Sequence, residues 1–346
     1  MMNFGICPVD PNWLRLAEAR QLELTKPPGS LGRLEEIANR CVAIFESLLY
    51  SLSRPRIVLF AGDHGVCAEG VSPYPSEVTA QMVLNFLSGG AAINCLSEAC
   101  GIELQIVDVG VAAPLPASAG LISRRIAAGT RNFCHEPAMT RGEADEALAV
   151  GIEMARAAVV DGCHLLGFGE MGIGNTTAAA AITAALTGCS AASAAGRGTG
   201  ADDACFARKI SAIERALELH GEFLSSPGEI LARLGGLEIA AMCGFCLGAA
   251  SCRRPVVMDG LIATAAAALA VRIEPNVKDY LFAAHLSPEP GHQRLVDFLK
   301  LRPLLQLDMR LGEGTGAALA MKLMIAASAA FTGMATFGSA GVSGKK

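Results

Sequence analysis

Aromatic residues make up only 5% of the 346 positions, and there is a single tryptophan. A surface that tracks single-stranded nucleic acid needs stacking faces, so this supply argues against nucleic acid as a partner. Positive charge is also in deficit: 28 Lys and Arg stand against 33 Asp and Glu, a formal net charge of −5. Without a basic surplus there is no global attraction to phosphate backbones or anionic membranes, and any phosphate bound here is expected to be one small group held locally. The first residues, MMNFGICPVDPNW, lack a basic region followed by an apolar core, and the apolar segments are interrupted by residues such as Glu238, Arg253 and Arg272. Neither a secretory signal nor a membrane span is expected. Twelve cysteines show no framework spacing. The one Cys-x-x-Cys pair, Cys243 and Cys246, has both sulfurs on one apolar helical face with no second pair or nearby His, which reads as core packing in a reducing, cytoplasmic compartment.

What the chain has in quantity is apolar and small: 52% of residues are hydrophobic and 38 are glycine. Six short apolar runs end in Gly, Asp or Ser and read as buried strands: RIVLFAGDHG from Arg56, LQIVDVG from Leu104, HLLGFGE from His164, PVVMDG from Pro255, YLFAAHLS from Tyr280 and LLQLDMRLGEG from Leu304. Helical segments separate most of them, so the expected class is α/β: a mainly parallel six-stranded sheet covered by helices on both faces. The polar residues ending the runs then converge on one rim, where ligands of such sheets bind. Residues 56–312 are expected to form this catalytic unit, with helices from 1–55 and 313–338 packing together as a small helical domain and 339–346 as a disordered tail.

On that rim, LLGFGEMGIGNTT matches the dinucleotide fingerprint G-x-G-x-x-G at Gly167, Gly169 and Gly172. Two features oppose a dinucleotide-dependent oxidoreductase. No acidic residue falls about twenty positions later to take the adenine ribose, and Glu170 would face a pyrophosphate. Asn175 and Thr176 at the following helix start suit either one phosphate or sugar hydroxyls, or else a capping role. A second glycine turn, GRGTGADD from Gly196, precedes a helix carrying Lys209, a point charge for an anion. In RLGEGTGAALAM, Glu313 sits between glycines at a helix opening, either complementing that helix N-terminus or delivered into the cleft as a base. Asp63, His64, His285, Ser287 and His292 end other runs. Their spacing is a weak metal signal, and hydrogen bonding to ribose or loop backbone is the expected role.

Taken in order, TKPPGSLGRLEEIA, FAGDHGV, GFGEMGIGNTTAAAA, GRGTGADD, HLSPEPG and RLGEGTGAALAM resemble the nicotinate-nucleotide:dimethylbenzimidazole phosphoribosyltransferase family, over about Thr25 to Met321. The resemblance implies a Rossmann-like α/β domain with a small helical domain, a homodimer, and transfer of phosphoribose from nicotinate mononucleotide to a benzimidazole-type base, giving α-ribazole 5′-phosphate and nicotinate for cobalamin. It implies Glu313 as general base, Glu170 at the ribose and reaction centre, and no metal or redox cofactor. Gly172, Asn175, Thr176, Gly198, Lys209 and Ser287 are then nucleotide contacts, and Met171 and Leu311 line the base pocket. Tyr74, Ser76 and Gln81, in VSPYPSEVTAQM, are candidates to touch the incoming base. A non-catalytic nucleotide-binding module is the other alternative; it leaves Glu170 and Glu313 unexplained.

Overall fold

The computed structural model describes residues 4–198 and 200–343. Helices α1 (Pro11–Glu23) and α2 (Arg33–Phe45) precede β1 (Arg56–Gly62). Next come α3 (Glu77–Leu87), α4 (Ala92–Cys100), β2 (Glu103–Gly110), β3 (Leu121–Ser123) and α5 (Arg141–Val160). The middle of the chain holds β4 (Leu166–Met171), α6 (Asn175–Thr187), α7 (Ala191–Ala194), α8 (Asp203–His220), α9 (Pro227–Leu234) and α10 (Leu237–Ser251). The last part contains β5 (Val256–Met258), α11 (Leu261–Ile273), β6 (Leu281–Ala283), α12 (Pro290–Leu299), α13 (Thr315–Gly333) and α14 (Phe337–Ala340). All six strands are parallel, in the order β3-β2-β1-β4-β5-β6. This order reverses direction between β1 and β4, which opens a crevice beyond their carboxyl ends.

Five of the six expected strands form. The run from Leu304 does not: only Leu305 makes a parallel bridge, to His285, and the rest is loop up to α13. Positive φ angles at Asp308, Gly312, Glu313 and Gly314 turn the backbone too sharply for a ladder. The sixth place belongs instead to β3 at the sheet edge, three residues paired with Ile106 to Asp108 and too short to leave a period in the sequence.

The alanine and glycine content lets helices lie almost backbone to backbone. A Cβ on Gly151 of α5 would stand 1.8 Å from the Ala241 carbonyl oxygen of α10, and one on Gly244 would stand 1.9 Å from that of Leu148. As a result α10 is buried on all sides, with Cys243 and Cys246 in the core and both thiols pushed up by burial, Cys243 to about 12. These thiols are inert packing groups, and all twelve cysteines are free.

Helices α1, α2 and the end of α13 enclose a separate apolar cluster of Ala17, Leu24, Ala38, Val42 and Phe331. The other half of α13 packs on β4, where the Met321 sulfur would lie 2.8 Å from a Cβ on Gly167. Among the described residues α13 is the one helix whose length and apolar composition would suit a membrane span, yet half of it is buried within the protein. Part of the tail is ordered: Ser339 and Ala340 belong to α14, whose start is capped by the Thr336 hydroxyl, so the expected disorder at those positions is corrected. Residues 344–346 lie outside the described residues.

Candidate active site

Beyond the carboxyl ends of β4, β5 and β6 lies a cavity of about 330 Å³. Four helices, α6, α11, α12 and α13, begin at its wall, and none of them carries a side-chain cap of its own. On the periphery the reverse holds: Asp10, Thr140, Asp202 and Ser226 cap α1, α5, α8 and α9. The helix starts facing the cavity therefore keep their positive dipole ends clear of side-chain caps, although Asn175, Thr177 and His292 donate their N–H groups to nearby carbonyls. At α13 the cap comes from elsewhere in the chain. The buried Asp259 carboxylate, at the end of β5, accepts from Gly314 N–H at 2.9 Å and Ala317 N–H at 3.1 Å.

The fingerprint glycines have a packing explanation. Gly167 and Gly169 lie within β4, and a Cβ on Gly169 would come 2.3 Å from the Gly314 nitrogen. A Cβ on Gly172 would come 2.3 Å from the Gly62 carbonyl oxygen. Their absent side chains let β4 meet β1 and the start of α13, which brings Glu170 and Glu313 into one cavity.

Glu170 is buried, accepts a short hydrogen bond from the Asn175 amide, and has its pKa raised to about 8. Burial is the main cause, the carboxylates of Glu238 and Asp259 add to it, and the Asn175 bond opposes it. The cavity thus favours the protonated form of Glu170. Glu313 adopts a left-handed φ of 63° and keeps one buried oxygen, Oε2, without a partner. Its pKa is raised by burial and by Asp259, against the Ile93 N–H. From the sequence, the α13 N-terminus is expected to favour the ionised carboxylate; in the fold, desolvation outweighs it.

Ten of the thirteen expected site residues line this cavity: Glu170, Met171, Gly172, Asn175, Thr176, Gly198, Ser287, Tyr74, Leu311 and Glu313. The other three do not. Lys209 lies on the buried face of α8, behind the wall, where its ammonium donates to Thr176 Oγ1 at 2.8 Å and the Gly196 carbonyl at 3.2 Å. Burial lowers its pKa and the nearby Glu289 carboxylate partly offsets this. Gln81 points to solvent, and Ser76 hydrogen-bonds Cys67; α3 presents Val78 and Met82 to the cavity instead. Neither Asn175 nor Thr176 caps α6, since their side chains bond Glu170 and Lys209.

Sequence reasoning missed Glu289, which accepts from Gly198 N–H at 2.9 Å while its other oxygen stays buried and unpartnered. A Glu preceding Pro290 at a helix start was its only signal. Also missed were Asp259 and the His64 partner, Glu238, 2.6 Å away inside α10. Asp63 and Asp108 turn their carboxylates onto loop backbone, at Ala112 and at Gly110 and Val111, so the β1 and β2 ends brace the rim. Among the described residues no group of three or more His, Cys, Asp or Glu is arranged to hold a metal.

Fold and cavity together define an α/β enzyme of the Rossmann type with a concave site at the carboxyl ends of its strands. A family model described as phosphoribosyltransferase matches residues 6–342, and the chain belongs to that family. It is 52% identical to a nicotinate-nucleotide--dimethylbenzimidazole phosphoribosyltransferase of Chloroflexus aggregans, over 99% of this chain and 97% of that one. Two crystal structures from Thermus thermophilus, one titled CobT and one titled as the same phosphoribosyltransferase, superpose with TM-scores of 0.93 and 0.91. Each is 48% identical, covering 97% of this chain and all of the other.

Proposed function

We propose that this enzyme transfers the phosphoribosyl group of nicotinate mononucleotide to 5,6-dimethylbenzimidazole or a related base, releasing nicotinate and forming α-ribazole 5′-phosphate for the nucleotide loop of cobalamin. The observation that carries this reading is Glu313: a buried carboxylate with raised basicity and one free oxygen, in the same cavity as three open helix starts. Val78, Met82, Met171 and Leu311 supply apolar and sulfur surface for a flat heteroaromatic base. The Thr176 and Ser287 side offers hydroxyl groups beside the uncapped start of α6, with the Lys209 charge behind it.

In the reaction, one nitrogen of the base attacks C1′ while Glu313 takes the proton from its N–H. Nicotinate leaves as a neutral pyridine nitrogen and needs no acid. Attack opposite the leaving group turns the β-glycosidic bond into an α one. Glu170, neutral before substrate arrives, is drawn towards ionisation by the pyridinium and the sugar cation that develops beside it. Lys209 acts by holding Thr176 and the Gly196 turn and lending its charge through them.

The same reading treats 56–312 as the catalytic unit and the terminal helices as a small helical unit, supported by their separate apolar cluster. It takes the enzyme to be a cytoplasmic homodimer; twelve free thiols suit a reducing compartment. The deciding experiment is a product assay with nicotinate mononucleotide and a panel of bases. Formation of an α-ribosyl phosphate product and free nicotinate is expected, and binding of the nucleotide without turnover of any base would reject the assignment.

A further inference from the structure

At the other end of the sheet from the active cavity, the approach to β6, the end of α12 and one face of α2 surround a second cavity of about 420 Å³. Its walls carry Arg33, Arg40, Lys278, Lys300 and Arg302 against two carboxylates, Glu36 and Asp279. Both carboxylates are engaged: Glu36 pairs with Arg33 at 3.1 Å, and Asp279 accepts the Val9 N–H at 3.1 Å. Among the described residues Arg40, Lys278, Lys300 and Arg302 make no ion pair. The Arg40 guanidinium is locked in place, donating to the Leu281 carbonyl at 2.7 Å and lying 4.0 Å over the Phe282 ring.

Five cations gathered in one inlet of a chain with net charge −5 repel one another. The pKa values of Arg33 and Arg40 are both lowered, chiefly by burial; Glu36 acts the other way on both and Asp279 on Arg40, while Arg302 works against Arg33 and Arg33 against Arg40. Five cations against two carboxylates leave a positive excess that a multiply charged anion relieves. We infer that the inlet is a second anion site, separate from the active cavity, that takes the phosphate group of a small molecule. Guanidinium forks beside ammonium point charges match the three oxygens of a dianionic phosphate better than a single carboxylate, and the volume suits a small metabolite.

Equilibrium dialysis with labelled inorganic phosphate tests this. The Lys278→Ala/Arg302→Ala double variant is expected to bind one phosphate fewer per chain than the wild type while phosphoribosyl transfer continues, because neither residue touches the active cavity. Where the alanine pair folds poorly, Lys278→Met/Arg302→Met retains the packing of the stems, and the same loss of one phosphate is expected. Competition by glycerol 3-phosphate identifies the source: at least tenfold tighter than inorganic phosphate means a phosphorylated metabolite, and equal competition means free phosphate. Equal phosphate stoichiometry in wild type and folded variants overturns the assignment, and so does a wild type that binds phosphate only where nicotinate mononucleotide displaces it and with no change in the double variant.

Discussion

Glu313 and Glu170 share one cavity, and their neighbours separate their roles. A positioned carboxylate base contributes on the order of 10²- to 10⁴-fold to rate. Glu313→Ala is therefore expected to fold, to keep its affinity for nicotinate mononucleotide and to lose turnover by that factor. The decisive comparison uses an N-alkylated benzimidazole small enough to fit, which has no N–H proton to lose: the penalty for removing Glu313 should shrink markedly, and an equal penalty with both bases would make Glu313 electrostatic or structural. Glu170 is tested through stability. Its pKa is about 8 in the folded protein against an ordinary value of 4.5, so folding favours the protonated carboxyl. That stabilisation is fully present below about pH 4.5 and is lost as pH rises through about 8. Melting temperatures of wild type and Glu170→Gln should diverge across this window, with the wild type falling more steeply. Parallel curves would mean that Glu170 is ionised throughout.

The start of α13 is where element packing governs chemistry. Asp259 holds Gly314 and Ala317 of α13 from the end of β5, and His285 beside it meets the Met309 carbonyl at 3.1 Å, so two strand ends grip the loop that presents Glu313. Asp259→Asn removes a negative neighbour that raises the Glu313 pKa. The acid limb of the kcat profile should move to lower pH and kcat should fall, with KM for the nucleotide little changed. An unmoved acid limb would leave Asp259 a purely structural cap. Gly169→Ala drives a methyl into the Gly314 nitrogen, so both stability and activity should drop. Gly142→Ala in α5, where a Cβ meets nothing nearer than 3.9 Å, should be neutral or stabilising by about 0.5–1 kcal/mol. Denaturation midpoints of the pair check both statements. The sequence made the glycines of β4 visible; their purpose was hidden, because the helix start they accommodate lies some 145 positions further along the chain (Gly169 to Gly314).

For the whole molecule, ligand-linked stability separates the competing activities. A mononucleotide that binds only the folded protein stabilises it by about 2.7 kcal/mol at a hundredfold excess over Kd. Nicotinate mononucleotide should therefore raise the melting temperature by several degrees. NAD should produce no comparable shift, because the fingerprint glycines pack against β1 and α13 and a protonatable Glu170 stands among them. A larger shift with NAD would restore the oxidoreductase reading. Light scattering in solution checks the homodimer.

Local signals were sufficient for much of this protein. Strand and helix alternation, the glycine turns and the acids set within them are properties of neighbouring residues, so the parallel α/β class and rim residues such as Glu170, Asn175, Thr176 and Glu313 could be read directly from the chain, whereas Tyr74, Met171 and Leu311 came from the family resemblance. Tertiary structure decided the rest. The helical phase of α3 faces Val78 and Met82 inward and leaves Gln81 in solvent, and the buried face of α8 withdraws Lys209 behind Thr176. The charge states of Glu170 and Glu313 follow from desolvation by strands, helices and loops that converge from distant parts of the sequence. Desolvation and Coulomb energies depend on distances through space, and a local pattern of residues carries no record of those distances.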